Sequence, residues 1–280
     1  MSTATQQFRN KLAVMFDFDK TLAPGTYDLI LQQLGYDDPD AFWDEKIRPM
    51  NQEDNWEEIL ARGYLVIQDS MSRDDVMVNK DFFREIAEKV EFYEGVPEMF
   101  DRVRDCARRI IEDIEVEFYL LTAGFIEIPR ATKIAGEFTE MWGSEFHFND
   151  DDEVDFVKQI VSHPEKVRYV LQLSKGLDGR GPNGPADVYR EVPADEIYIP
   201  LSQIIYVGDG ASDMPVFSLL HDEQGLALGV FAPDSNPDEW SGHSEMRAER
   251  RVQNLAPADF SEESELMQSL TLSVESICKQ

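Results

Sequence analysis

Short apolar runs recur along the chain, and several end abruptly in small or acidic residues. Leu12-Ala13-Val14-Met15-Phe16 runs into Asp17-Phe18-Asp19-Lys20-Thr21. Val116 to Leu121 runs into Thr122-Ala123-Gly124, and Ile204 to Val207 into Gly208-Asp209-Gly210, with Asp213 beyond. Runs of this length bounded by turn-forming residues predict buried strands. Leu226 to Phe231 predicts another, and weaker patterns place strands at Glu145 to Phe148 and Val154 to Val161. Apolar positions three and four apart predict helices over Pro97 to Ile111, Pro129 to Trp142, Pro164 to Leu173 and Ala211 to Leu220. Leu266, Leu270, Val274 and Ile277 mark a last helix in the tail. Strands alternating with helices predict an α/β domain with a mostly parallel central sheet flanked by helices.

One block interrupts that alternation. From about Tyr27 to Tyr93 the pattern is mainly helical. Trp56, Ile59, Leu60, Gly63, Tyr64, Ile67 and Met71 make one stripe, and Phe82, Phe83, Ile86 and Val90 another. Both stripes read as bundle core. The next helix opens at Gly95-Val96-Pro97, where proline suits a first turn. An insertion between a strand and its crossover helix predicts a small helical cap domain, residues 26–93. It would sit on a discontinuous α/β core made of residues 1–25 and 94–280. Lys175 to Pro200 is rich in glycine and proline and reads as a long loop.

The 280 residues carry 56 acidic against 26 basic side chains, a net charge of −30. That balance disfavours nucleic acid as a partner. Any anionic ligand would need local compensation. Two cysteines, Cys106 and Cys278, make no disulfide framework. No run approaches the roughly 20 apolar residues of a membrane helix. The residues up to Lys11 have no apolar signal core. A soluble cytoplasmic protein is expected, with no membrane partner.

Candidate chemistry lies at the strand ends. Ligands of open parallel sheets sit outside the carboxyl ends of the strands. If the three runs are neighbours, Asp17, Asp19, Thr122, Asp209 and Asp213 converge. Successive strand residues face opposite ways, so Asp17 and Asp19 share a pocket only if the chain curls as it leaves the sheet. Desolvated acids call for a cation or a shared proton. The four histidines, His147, His163, His221 and His243, show no metal-binding spacing.

The order D-x-D-x-T, apolar strand ending in Thr, lone lysine, G-D-G-x-x-D resembles the haloacid dehalogenase superfamily, in its phosphoserine-phosphatase-like branch. The resemblance covers scattered patches from Leu12 to Phe231. It implies a Rossmann-like core with a helical cap after the first strand. It also implies a Mg²⁺-dependent phosphatase that acts on a small phosphate ester through an aspartyl-phosphate. Asp17 is the implied nucleophile and Asp19 the general acid. The implied metal ligands are the Asp17 and Asp209 side chains and the Asp19 carbonyl. Thr122, with the N–H groups of Ala123 and Gly124, would take phosphoryl oxygens. Gly210 would give the backbone its tight turn, and Asp213 would support the site.

For the lysine, Lys158, Lys166 and Lys175 are candidates. Lys166 is preferred, because a cation in a helix's first turn opposes the dipole and needs an anion nearby. Asp19-Lys20-Thr21 also resembles the start of the transport-ATPase phosphorylation motif, but Ala23 stands where that register needs threonine. Two alternatives accompany this expectation: a phosphotransferase or mutase of the same superfamily, and a non-catalytic regulatory protein retaining the fold.

Overall fold

The computed structural model describes residues 8–73, 75–179, 184–210, 212–233 and 252–280. His243, Ala211 at the expected start of a helix, and 180–183 within the glycine- and proline-rich loop lie outside them. Seven strands make the sheet: β1 (Lys11–Phe16), β2 (Glu115–Phe125), β3 (Glu140–Phe148), β4 (Val154–Gln159), β5 (Ile204–Gly208), β6 (Leu226–Phe231) and β7 (Asn254–Pro257). Their order is β4-β3-β2-β1-β5-β6-β7. All neighbours run parallel except β3 and β4, which form an antiparallel hairpin. The chain leaves β1 for β2 and β3 on one side and returns to β5, β6 and β7 on the other. The end of β1 is therefore the topological switch point, where such sheets open a crevice.

β1 shows why the sheet is covered on both faces. Leu12, Val14 and Phe16 enter one apolar layer, with α6 (Val96–Arg108) and α10 (Glu265–Cys278). Ala13 and Met15 enter the other, with α8 (Glu165–Ser174) and α9 (Met214–Asp222). Burying each of the larger side chains contributes about 1.5–3 kcal/mol. Several of them together offset the several kcal/mol that it costs to take an acid out of water at the end of the strand.

The insertion holds α1 (Thr26–Gln33), α2 (Pro39–Phe42), a π-helical turn (Trp43–Ile47), α3 (Arg48–Gln52), α4 (Glu58–Ser72) and α5 (Lys80–Ala87). Three of its helices, α2, α4 and α5, start on side-chain caps. Asp38 accepts from Ala41 N, Glu57 from Ile59 N, and Asn79 from Phe82 N. The insertion has its own apolar cluster, around Ile30, Leu31, Ile59, Val66, Phe83 and Ile86. Phe125, Phe146 and Val154 of β2, β3 and β4 join that cluster, with Ile128 from the short helix after β2. Its two ends adjoin: Tyr93 N donates to Leu22 O at 3.0 Å.

Three sequence expectations need correction. Pro129 to Trp142 is not one helix. It holds the short α7 (Glu127–Ala131), a 3-10 turn (Ala135–Glu137) and the start of β3. Tertiary pairing overrides helical spacing here: Glu140, Met141 and Trp142 pair with Tyr119, Leu120 and Leu121, and Trp142 stacks on Tyr119 with ring centroids 5.6 Å apart. In the α4 stripe, Ile59, Gly63 and Ile67 are buried, but Trp56, Leu60, Tyr64 and Met71 are exposed. The stripe is wider than the face that packs. β7 was not expected, because only four residues form it.

Candidate functional site

The chain curls as it leaves β1, and Asp17, not Asp19, joins the group of converging acids. Asp17 N donates to Val207 O at 3.0 Å, extending the β1–β5 ladder by one residue. The chain then wraps around one carbonyl: Thr21, Leu22 and Ala23 all donate N–H to Phe18 O. Lys20 takes a left-handed φ of 58° within this wrap. Phe18 turns into the apolar layer, and Asp17 turns to the face that carries α8 and α9. Phe18 N donates to Asp17 Oδ1 at 2.7 Å. Asp19 is held separately, with its Oδ1 accepting from Thr26 N at 2.7 Å.

β5 delivers the second group of acids. Asp17, Asp209 and Asp213 each bring an oxygen within 4.8 Å of the others. Lys166, in the first turn of α8, is fully buried among them. Its Nζ lies 3.0 Å from Asp17 Oδ2, 2.6 Å from Asp213 Oδ1 and 3.2 Å from Ser212 Oγ. With the Tyr206 hydroxyl at 3.5 Å, the ammonium's three donors have four acceptors within reach. The other lysine candidates are elsewhere. Lys158 pairs with Glu145 at 3.0 Å, and Lys175 donates to the carbonyls of Val188 and Arg190.

Burial pushes the Asp17 carboxyl up to about 8; the Asp213 and Asp209 charges add to this and Lys166 opposes it. Asp209 is pushed up to about 6, by burial first and then by Asp213. Desolvation works against the charge on Lys166, but Asp17 and Asp213 outweigh it and hold the ammonium above its usual range. We take Lys166 as charged, since two carboxylates face it. One lysine does not neutralise three acids. Lys166 is shared between Asp213 and Asp17, so the group of three keeps surplus negative charge. Two converging carboxylates with that surplus fit Mg²⁺, a hard cation that takes one or two carboxylates and keeps waters.

Thr122 is buried at the carboxyl end of β2. Gly124 N donates to Thr122 Oγ1 at 2.9 Å, so one of the two amides expected to receive an anion is already engaged. Gly124 also lets Asp19 approach: a Cβ there would stand 2.6 Å from Asp19 Oδ2. Gly210 carries a φ of 126° and donates its N–H to Asp213 Oδ2 at 3.4 Å. Two contributors went unseen in the sequence. Ser212 Oγ also reaches Asp17 Oδ2, at 3.5 Å, and Tyr206 OH donates to Asp213 Oδ1 at 2.6 Å. Tyr206 sits inside an apolar run, so its hydroxyl gave no signal.

Among the described residues, the histidines stand outside the acidic group. A cavity of about 580 Å³ lies beside Trp142, Tyr169 and Gln172 and is lined by none of Asp17, Asp19, Asp209 and Asp213. No helix is long and apolar enough to cross a membrane, among the described residues.

No family model matches the sequence. An uncharacterized protein of Borreliella burgdorferi is 24% identical over 296 aligned positions, covering 95% of this chain and 98% of that protein. Similar solved structures include a haloacid dehalogenase family hydrolase from Salmonella enterica serovar Typhi, with TM-score 0.59, 12% identity and coverage of 94% of this chain and 70% of that one. A probable phosphoserine phosphatase from Vibrio cholerae gives TM-score 0.59 at 12% identity, over 96% of this chain and 66% of that one. A phosphoserine phosphatase solved as a phospho-aspartyl intermediate analogue gives 0.52 at 14% identity, over 94% and 99%. With the strand order and the helices on both faces, these likenesses make the fold that of the haloacid dehalogenase-type hydrolases, in the form shared by the phosphoserine phosphatases.

Proposed function

We propose that the chain is a divalent-cation-dependent phosphatase of small phosphorylated metabolites, working through an aspartyl-phosphate on Asp17. The observation that carries this reading is the convergence of Asp17 and Asp209 around Lys166 at the switch point of the sheet. Asp17 is the nucleophile: an oxygen of its carboxylate attacks phosphorus and the ester oxygen leaves. Asp19, on the wrapped turn beside Gly124, protonates the leaving alkoxide and then takes a proton from the water that hydrolyses the acyl-phosphate. Lys166 and the Thr122 hydroxyl stabilise charge on the phosphoryl oxygens. Asp17 and Asp209, with the Asp19 carbonyl, would hold Mg²⁺. The ion supplies charge neutralisation between the acids and the incoming phosphate dianion. The likeness to phosphoserine phosphatases supports the substrate class.

Residues 26–93 serve as the cap. Their separate apolar cluster supports this, as does the hydrogen bond from Thr26 N to Asp19, which ties the first helix of the insertion to the acid's turn. The test is hydrolysis of p-nitrophenyl phosphate with Mg²⁺ and then EDTA. Turnover should need the ion and vanish in Asp17→Asn with the fold intact. An active Asp17→Asn variant refutes the assignment.

A further inference from the structure

Tyr206 is fully buried on β5, three residues before Asp209, and its ring packs edge-on against Phe217 with centroids 6.0 Å apart. A phenylalanine would fill that space as well. The hydroxyl is what the packing does not require. It donates to Asp213 Oδ1 at 2.6 Å, the same oxygen that receives Lys166 Nζ at 2.6 Å. The hydroxyl also accepts a longer bond directly from the ammonium, at 3.5 Å. Asp213 Oδ2 faces the other way, toward Gly210 N at 3.4 Å and against the backbone of Gly208. The carboxylate is thereby fixed at both oxygens.

The consequence falls on Lys166. A buried ammonium facing two carboxylates settles on whichever offers the better pair of acceptor sites. With Tyr206 occupying one acceptor site of Oδ1, Lys166 has a single, directed bond there. Its remaining N–H groups point to Asp17 and Ser212. Without that hydroxyl, Asp213 is free to turn and take the ammonium with both oxygens, away from Asp17. We propose that Tyr206 is a positioning residue: through Asp213 it aims the Lys166 ammonium at Asp17. This rests on the functional reading above, in which Asp17 accepts the phosphoryl group. Tyr206 touches neither Asp17 nor a substrate, so it acts only through its neighbours.

Tyr206→Phe in the full chain tests this. With p-nitrophenyl phosphate and Mg²⁺, kcat should fall about tenfold, the worth of one well-placed hydrogen bond at 1.4 kcal/mol per decade. KM should stay within about twofold. A double-mutant cycle supplies the control that a merely structural role would not satisfy. In an Asp213→Asn background, Tyr206→Phe should cost nothing further. Additive losses in the cycle, or an unchanged kcat in Tyr206→Phe, overturn the proposal.

Nitrogen-15 NMR of the lysine ammonium groups gives a second readout that needs no activity. Wild type should show a sharp, slowly exchanging Lys166 signal, broadened in both Tyr206→Phe and Asp213→Asn. The same sharp signal in all three overturns the proposal. If wild type proves inactive on phosphate esters, the functional reading fails and this comparison alone decides whether Tyr206 positions Lys166.

Discussion

Lys166 Nζ stands 3.0 Å from Asp17 Oδ2, and both side chains are buried. Removing one partner of a buried pair strands the other's charge, at a cost of roughly 3–5 kcal/mol. Lys166→Met should therefore lower stability by that order in urea melts run with EDTA. Mg²⁺ should recover part of the loss, because it answers the same surplus of negative charge. Turnover should fall by about 10²–10³, as for loss of one preorganised group at developing charge.

Two glycines are predicted to separate stability from activity. At Gly208 a Cβ would stand 2.2 Å from Asp213 Oδ2, inside a fully buried network. Gly208→Ala should cost about 1–3 kcal/mol of stability from overpacking, along with activity. At Gly124 the obstructing atom is Asp19 Oδ2, 2.6 Å away, on a half-buried side chain that has room to shift. Gly124→Ala should lower kcat with a much smaller change in melting temperature. Thermal melts beside steady-state kinetics check both.

Cation binding should compete with protons. In the ion-free protein Asp17 and Asp209 sit near 8 and 6, above their unfolded values, chiefly through burial. The folded state then holds more protons than the unfolded state. Stability in EDTA should fall as pH rises from about 4 to about 8. The apparent affinity for Mg²⁺ should rise across the upper part of that window, with proton release on binding. Calorimetry in two buffers of different ionisation enthalpy measures that release.

Glu127 supplies an independent pH effect away from the acids of the site. Its Oε1 accepts from Phe146 N at 2.7 Å, while its buried Oε2 has no hydrogen-bond partner among the described residues. Burial pushes this carboxyl up to about 7. Its contribution to stability should be lost as pH rises from about 4.5 to 7 and stay flat beyond. The loss is on the order of 3 kcal/mol. Glu127→Gln keeps an acceptor for Phe146 N and should flatten that part of the stability profile in denaturant melts.

Much of this architecture was readable from the chain because its signals were local. β1 and β5 are apolar runs ending in acids, so both the strands and the position of Asp17 and Asp209 followed from short-range pattern. Lys166 was readable because a lysine opening a helix is anomalous unless an anion is near. β3 was misread because its pairing with β2, rather than its own spacing, decides its conformation. Tyr206 and Ser212 were invisible for a related reason: their hydroxyls acquire meaning only when the fold brings Asp213 to the first and Lys166 and Asp17 to the second. The exposed half of the α4 stripe shows that periodicity locates an apolar face without saying how much of it is covered.

The insertion is fastened in a third place besides its two adjoining ends. Val154 N donates to Val78 O at 2.9 Å, Lys80 pairs with Asp152, and Phe83 stacks on Phe146 with centroids 5.6 Å apart. A plate hung from one edge swings, and a plate also pinned at its far side does not. On the proposed reading of residues 26–93 as a cap, the bulk of an acceptable ester is set by the width of a fixed opening rather than by the travel of a door.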